Sequence, residues 1–569
     1  MPTFEDAVKM QLAGNLDSAE KTYRQLIAGS NAPPPAFQNL GAMLRAAGKL
    51  DEALSVYNNG LKLFPANPAI LANRANIIRA KSPAMAFRDL EASLASGPDN
   101  INAWYTAFSI LRDHRLYHKA YALILKALRR LGAEPRLLLG LHVSLVDLGH
   151  LSSSTDIHGA FFKSLSSLVE ASLHGKPIKD ALEIRLSFAF AFVEAGLSEH
   201  GLMHYHSAMA LIADRAAVPV AERSKIDDIV NSSSWNIACA LLKQASFQQG
   251  WKLFDYGLRV PVDGSQKWQR SLQKPFTGSS LPLWRGESLE GRRLLLLEEQ
   301  GVGDSMMFLS LLPPLFDEAL RVDVIVEDRL QPIYSRAYEP WGDKVTVFQH
   351  SDALLGKVIS SRYDYQCPIG SICQYRYTSL ESYAPRVPIL TARKDEVSRL
   401  RKGYLAEHSG SKKLVGISWV GGLKEERILK KCPPLEVFTS ILQQANPDIA
   451  FVSLQYGTVA PQIAAWRERG ISVIHDNGID PLVDMEAWLD QVAACDAVLS
   501  VANTTIHGAG GLNLPTLCLL SIFSDWRWLD DPAATHSYWY PSVGILRETR
   551  LHGWSSVAAD AVKWLNGGI

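Results

Sequence analysis

A repeat constrains this chain more than any other feature. Small residues Ala19, Ala53, Ala86 and Ala120 recur at steps of 34, 33 and 34, and large residues Tyr23, Tyr57, Leu90 and Ile124 keep the same steps four positions later. A period of that length marks stacked supersecondary units, none of which can bury its apolar face alone. In the second unit Phe37, Leu40, Gly41, Leu44, Gly48, Ala53, Tyr57 and Pro65 alternate large and small residues at helical spacing. Gly41 and Ala53 let two antiparallel helices approach closely, and Phe37 and Tyr57 fill the space beside them. Gly14 and Gly48 sit where the first helix of a pair must turn, and Pro65 stops the second. The third unit is one residue short, at its Lys81-Ser82-Pro83 turn.

This spacing resembles the tetratricopeptide repeat, in about four copies over residues 1–134. The resemblance implies a solenoid whose concave surface holds a peptide or protein segment. A spacer or dimerisation arm is the alternative, and neither reading makes the repeat catalytic. Over 135–262 apolar periodicity continues through Leu137–Leu148, Phe161–Leu173, Ala181–Leu197 and Trp235–Ala245, which predicts more helices. Trp235–Leu258 reads as a degenerate last repeat, with Ala240, Gly250, Phe254 and Tyr256. The Gly-, Ser-, Pro- and Gln-rich stretch 263–280 reads as a linker.

Composition narrows the class. A length of 569 residues exceeds one hydrophobic core, and 47% hydrophobic with 20% charged residues predicts a globular chain. Lys plus Arg and Asp plus Glu total 58 each, which argues against generic binding to nucleic acid or anionic membranes. The six cysteines, at 239, 367, 373, 432, 495 and 518, form no C-x-x-C pair. That excludes a zinc ribbon and a dithiol redox motif, and it offers no disulfide framework. The Met1–Asp6 stretch is acidic without an apolar signal core, and no apolar run reaches the roughly 18 residues of a membrane span. A reduced, soluble, cytoplasmic protein is expected.

From Leu281 the pattern changes to short apolar runs alternating with helical stretches, which predicts parallel sheets covered by helices. The strand candidates are Leu294–Leu297, Val322–Val326, Val345–Phe348, Leu414–Trp419, Ala450–Leu454, Ser472–His475, Ala497–Val501 and Thr516–Leu520. A charged break near 391–412 separates them into two groups. The expected fold class is therefore α + α/β: a helical solenoid, then two Rossmann-like domains, 281–400 and 401–569, facing a cleft. Ligands in such sheets sit beyond the carboxyl ends of strands.

The loops at those ends carry the candidate chemistry. After the first strand come Gly301, Gly303 and Asp304, the glycines permitting a tight turn and close approach of a ligand to backbone amides. Met306 occupies the third position of G-x-G-x-x-G, so this is no dinucleotide fingerprint. Two roles are open to Asp304, a general base or a helix cap. After Leu414–Trp419 come Gly421 and Gly422, then Lys424, Arg427, Lys430 and Lys431, a cationic loop suited to a diphosphate or, read alone, a solvated charge run. Gln455, Tyr456 and Gly457 form a third loop. Asn503, Thr504, Thr505 and His507 open a helix of small residues, where hydroxyls and amides together grip a diphosphate.

These stretches carry a resemblance. Glu299–Asp304, Ser418–Gly422, Ser453–Gly457 and Asn503–Gly510, in that order, resemble GT-B glycosyltransferases on the branch of the bacterial ADP-heptose transferases. Asp525–Trp528 and Trp539–Pro541 fit the repeat-fused members of that branch. The resemblance implies an inverting transfer from a nucleotide sugar, the only co-substrate expected, to an acceptor hydroxyl. It implies Asp304 as the base that deprotonates the acceptor, and Lys430 or Lys431 as the cation at the departing diphosphate. Ser418, Gly421, Gly422, Gln455, Asn503, Thr504, Thr505 and His507 would line the donor site. Ser500–Thr504 departs from the Ser-Val-Asp-Thr-Gly of heptose transferases, which leaves the donor open.

No two aspartates are separated by one residue, so the D-x-D metal clamp is absent and no catalytic metal is expected. The resemblance also implies a protein acceptor, with Ser or Thr hydroxyls as targets and flagellin as the best single guess. A lipopolysaccharide or other glycan acceptor, and an inactive scaffold, are the rivals. Self-association through the repeats is left open. The cluster of Trp526, Trp528, Trp539 and Tyr540 is read as packing between the last helices.

Overall fold

The computed structural model describes residues 3–567 apart from 30, 80, 133, 149–155, 195, 215, 217, 261–269, 271–280, 355, 385–387, 409, 423–427, 429, 430, 550 and 551. The chain divides into a helical unit, carried by Met1–Ile226, and a Rossmann unit, carried by Asp227–Val260 with Trp268–Ile569.

In the helical unit four helix pairs follow the repeat: Phe4–Leu12 with Leu16–Ala28, Pro34–Ala46 with Leu50–Leu63, Pro68–Ile78 with Pro83–Ser96, and Ile101–Asp113 with Tyr117–Leu131. Ala19, Ala53, Ala86, Ala120, Tyr23, Tyr57, Leu90 and Ile124 are all buried. Gly41 has no side chain because the Tyr57 ring lies where one would go: a Cβ would sit 2.3 Å from its Cε1. The turns of the first, second and fourth pairs each place one residue in the left-handed region, Gly14 at φ +79°, Gly48 at +75° and Arg115 at +61°. The pair Pro68–Ile78 and Pro83–Ser96 is tied by a bidentate Arg74–Asp89 bridge, both contacts 2.7 Å. Helices Pro135–Asp147, Asp156–Leu173, Ile178–Glu194 and Ser198–Ala210 follow. The last of these was not expected.

The Rossmann unit contains two parallel sheets. The first holds β1 (Arg293–Leu297), β2 (Arg321–Val326), β3 (Val345–Gln349) and β4 (Tyr365–Pro368), in the order β3-β2-β1-β4. The second holds β5 (Lys413–Ser418), β6 (Ile449–Ser453), β7 (Val473–Ile474), β8 (Ala497–Val501), β9 (Thr516–Leu520) and β10 (Val543–Arg547), in the order β10-β9-β8-β5-β6-β7. β6, β8 and β9 are buried along their whole length, as strands covered on both faces must be. All eight expected strands are present, and β4 and β10 are additional. With the repeats before them, these sheets make the architecture a tetratricopeptide-type solenoid followed by two Rossmann-like parallel sheets.

The break at 391–412 contains a helix, Lys394–Glu407, of which only Leu400 and Tyr404 are buried. It belongs to the second sheet: the Tyr404 hydroxyl donates to Asp476 at 3.0 Å, and Arg401 pairs with Asp496 at 2.9 Å. The expected 400/401 boundary falls inside it. Trp235–Leu258 is a helical hairpin, the end of Arg223–Lys243 with Phe247–Phe254. It packs on the Rossmann sheets through Trp251, whose indole donates to the Tyr383 hydroxyl at 3.0 Å. The expected linker 263–280 lies outside the described residues except at Arg270.

Candidate active site

Strand order reverses between β1 and β4 in the first sheet and between β5 and β8 in the second. In an open parallel sheet such a reversal splays the neighbouring loops apart and leaves a crevice at the strands' carboxyl ends. The loops there are Glu298–Gly301 after β1, Trp419–Gly422 after β5 and Ala502–Asn503 after β8. Two of them lead straight into helices, Val302–Leu309 and Thr504–Gly511.

These helices meet at their first turns. A Cβ on Gly303 would lie 3.0 Å from His507 Cδ2 and 3.2 Å from Thr504 Oγ1. Glycine at 303 therefore serves a close approach between the two domains' helices. Gly301, expected to supply the tight turn, is instead the extended N-cap, with φ −100° and ψ 166°. The left-handed residue is Gln300, at φ +65°. A non-glycine there costs roughly 1–2 kcal/mol, a strain held in the loop that carries Asp304.

The preceding residue anchors the loop. Glu299 is buried and accepts from Arg270 Nε at 2.9 Å and Nη2 at 2.8 Å. Arg270 has no exposed surface; it also donates to Asp255 at 2.5 Å and to Ser371 Oγ at 2.9 Å, and its guanidinium lies 4.5 Å over the Phe254 ring. Sequence reading missed Arg270, because one of three cations in a polar stretch, with Lys267 and Lys274, resembles any solvated linker residue.

Asp304 sits in the first turn of the Val302–Leu309 helix, whose N-cap Gly301 has no side chain to cap it. Its carboxylate pairs with Arg527 Nε, from the loop after β9. Arg527 Nη1 also meets Asp525 Oδ2 at 3.0 Å, and Lys431 Nζ meets the same oxygen at 2.8 Å. The result is a chain of alternating charge, Asp304–Arg527–Asp525–Lys431, running from the first sheet's loop to the second's. Burial opposes charge on Asp525, but Arg527 and Lys431 hold its carboxyl well below the usual carboxylate range. Arg527 is likewise opposed by burial, and Asp304 and Asp525 push it up. Lys424, Arg427 and Lys430 lie outside the described residues.

Three expected donor-site residues spend their polar atoms on the loop itself. Gln455 Oε1 accepts from Ser418 Oγ at 3.0 Å and from the amides of Trp419 and Val420, each at 2.9 Å. Asn503 caps the second helix by accepting from Thr505 N at 3.0 Å, and its amide donates to Ser418 Oγ at 2.7 Å and Val420 O at 3.0 Å. Ser418, Gln455 and Asn503 thereby fix the β5 and β8 loops against each other. Gly421 fits against Ala502 O, and Gly422 turns at φ +91° with its amide donating to the Tyr456 hydroxyl at 3.0 Å.

Thr504 and Thr505 line a cavity of about 210 Å³ with Val302, Arg329, Tyr456 and Trp488. His507 is buried, its Nδ1 3.3 Å from the Tyr540 hydroxyl. Burial pushes its imidazole down to about 4, so it is neutral at neutral pH and acts by hydrogen bonding rather than charge. Trp526 and Trp539 pack on Trp251 and Phe308. Trp526 and Trp539 are therefore packing, but against the Phe247–Phe254 and Val302–Leu309 helices rather than between the last ones, while Tyr540 meets His507. Among the described residues no three His, Cys, Asp or Glu side chains converge as a metal set, and no helix is long and apolar enough to cross a membrane.

The fold and this crevice define a repeat protein joined to a two-domain Rossmann-type fold with a charged, Thr-lined inter-sheet site. Over 275 residues the chain is 31% identical to Protein FlbA of Caulobacter vibrioides, covering 46% of this chain and 44% of FlbA, so it spans under half of that relative's length. Among solved structures it is similar to a family 9 glycosyl transferase from Veillonella parvula (10% identity, 46% of this chain and 87% of that one, TM-score 0.35). It is also similar to a tetratricopeptide repeat protein from Parabacteroides merdae (19% identity, 44% and 96%, TM-score 0.27). No protein-family profile matches the chain.

Proposed function

We propose that this chain is an inverting, metal-independent glycosyltransferase that moves a sugar from a nucleotide-sugar donor to Ser or Thr hydroxyls of a protein, with flagellin the first acceptor to try. The observation that carries the reading is the meeting of two helix N-termini at Gly303, with Asp304 on one side and Thr504 and Thr505 on the other. In this reading the donor diphosphate sits against the Thr504–Gly511 helix, whose N-terminal dipole and threonine hydroxyls favour an anion. The nucleoside side enters the cavity beside Tyr456 and Trp488. Asp304 takes the acceptor hydroxyl's proton while its oxygen bonds to the anomeric carbon. The carbon–oxygen bond to the diphosphate breaks, and the diphosphate leaves with the electron pair, its charge met by Lys431 and the helix terminus. The solenoid binds an acceptor region and raises its effective concentration at the cleft.

The test is a mass measurement on flagellin and other candidate acceptors, co-expressed in the producing cell with the wild-type chain or Asp304→Ala. A sugar-sized gain that disappears with Asp304→Ala is the expected result. A gain that survives would remove Asp304 as the base, and no gain on any protein would favour a glycan acceptor.

A further inference from the structure

The Asp304–Arg527 pair lies on a helix face set by a second contact. Asp304 and Phe308 are four residues apart in the Val302–Leu309 helix and therefore share a side of it. Phe308 stacks on Trp526, ring centroids 5.9 Å apart, while Asp304 meets the adjacent Arg527. Arg527 is itself fixed: its amide donates to Asp525 Oδ1 at 3.2 Å, its carbonyl accepts from the Trp539 indole at 2.9 Å, and its guanidinium lies 4.4 Å over Trp526. Nε and Nη1 address two carboxylates at once, in the fixed planar geometry of a guanidinium that a freely rotating ammonium does not impose. The bond from Arg527 goes to Oδ1 of Asp304. Among the described residues no donor reaches Oδ2, which faces Gly301, where even a Cβ would stand 3.8 Å away.

We propose that Arg527 is the positioning residue of the base: it occupies Asp304 Oδ1 and so presents Oδ2 as the atom that takes the acceptor's proton. This rests on the proposed function. Arg527 touches neither the acceptor nor the donor in this scheme and acts through Asp304. Asp525 holds the fork from its far side and is itself shared with Lys431.

The experiment uses the purified full chain in cleared lysate of producing cells that lack its gene, which supplies native donor and acceptor. Transfer is followed as acceptor mass against time for wild type, Arg527→Ala and Arg527→Lys, with and without millimolar methylguanidinium. Binding of ADP, UDP and GDP is measured by calorimetry. Arg527→Ala is expected to slow transfer about 100-fold, the loss typical of a reacting group displaced by an ångström. Methylguanidinium should restore about tenfold of that loss, Arg527→Lys should fall between, and affinity for the bound diphosphate should change by less than about threefold. Wild-type rates with Arg527→Ala overturn the inference. So does a parallel loss of diphosphate affinity, which makes Arg527 a donor-binding cation, and so does a loss that methylguanidinium leaves untouched, which makes the residue merely structural. No transfer by the wild-type chain overturns the proposed function itself.

Discussion

Gly303 has room for a hydrogen and little else. A methyl there meets His507 on one side and Thr504 on the other, both fixed at the first turn of a packed helix. Gly303→Ala is expected to cost about 1 kcal/mol in denaturant unfolding, through overpacking. It should cost transfer more heavily, because it moves Asp304 and the threonines apart. The neighbouring imidazole gives a pH prediction. With His507 lowered to about 4 in the folded chain and about 6.5 unfolded, the unfolded state binds the extra proton between those values. Stability is then fully present above about 6.5 and falls as pH drops toward 4; His507→Gln should flatten that slope by up to one proton, read as unfolding free energy against pH. Glu299→Gln strips one charge from a buried bidentate pair. It is expected to cost about 1–3 kcal/mol, since Arg270, with no exposed surface, then keeps only the more exposed Asp255 as counter-charge.

Among the elements, the helical repeat separates two uses of glycine. Gly14 turns at φ +79° with nothing within 4 Å of a Cβ, whereas Gly41 faces the Tyr57 ring at 2.3 Å. Gly14→Ala should cost only the backbone term, about 1 kcal/mol, and Gly41→Ala about 3 kcal/mol, both measured by denaturant melts. Both roles were legible because a period repeats them: one position is a turn, the other an interface. The strands were legible for the same reason wherever an apolar run was continuous. β4, Tyr-Gln-Cys-Pro, has no such run and ends on a proline, and β10, Val-Gly-Ile-Leu-Arg, carries a glycine and lies at the sheet's edge. Each is held by register with a better strand, β4 with β1 and β10 with β9. Local pattern does not encode that. Lys394–Glu407 read only as a charged break because its buried side is two residues wide.

At the scale of the whole molecule the loops of the site could be read in the sequence and their wiring could not. Asp304 and the Asn503–His507 segment announce themselves by standing after buried strands. Arg527 stands 223 residues from Asp304 and pairs with it only because two sheets bring their carboxyl ends together. Ser418, Gln455 and Asn503 have the chemistry of donor ligands, and only their mutual distances reveal that they hold one another. Under the proposed function the solenoid acts on acceptor concentration and not on chemistry. A solenoid weakened by Gly41→Ala should therefore lose transfer at low acceptor, regain it at high acceptor, and bind nucleoside diphosphates as before; a loss at every acceptor concentration would count against recruitment.

The strand order has a further consequence, for synthesis. β5 pairs with β8 through Gly416 and Val498, and β1 pairs with β4 through Leu294 and Tyr365. In each sheet the pair that frames the crevice joins strands separated by a long stretch of chain, whereas β8 and β9 are joined by the single helix Thr504–Gly511. At a ribosomal pace of roughly 5–20 residues per second, β5 waits about 4–16 seconds for its partner to emerge, with one apolar edge unpaired. In the first sheet the crevice pair is thus the last to close on a nascent chain, whereas in the second β9 and β10 are still to come when β8 reaches β5.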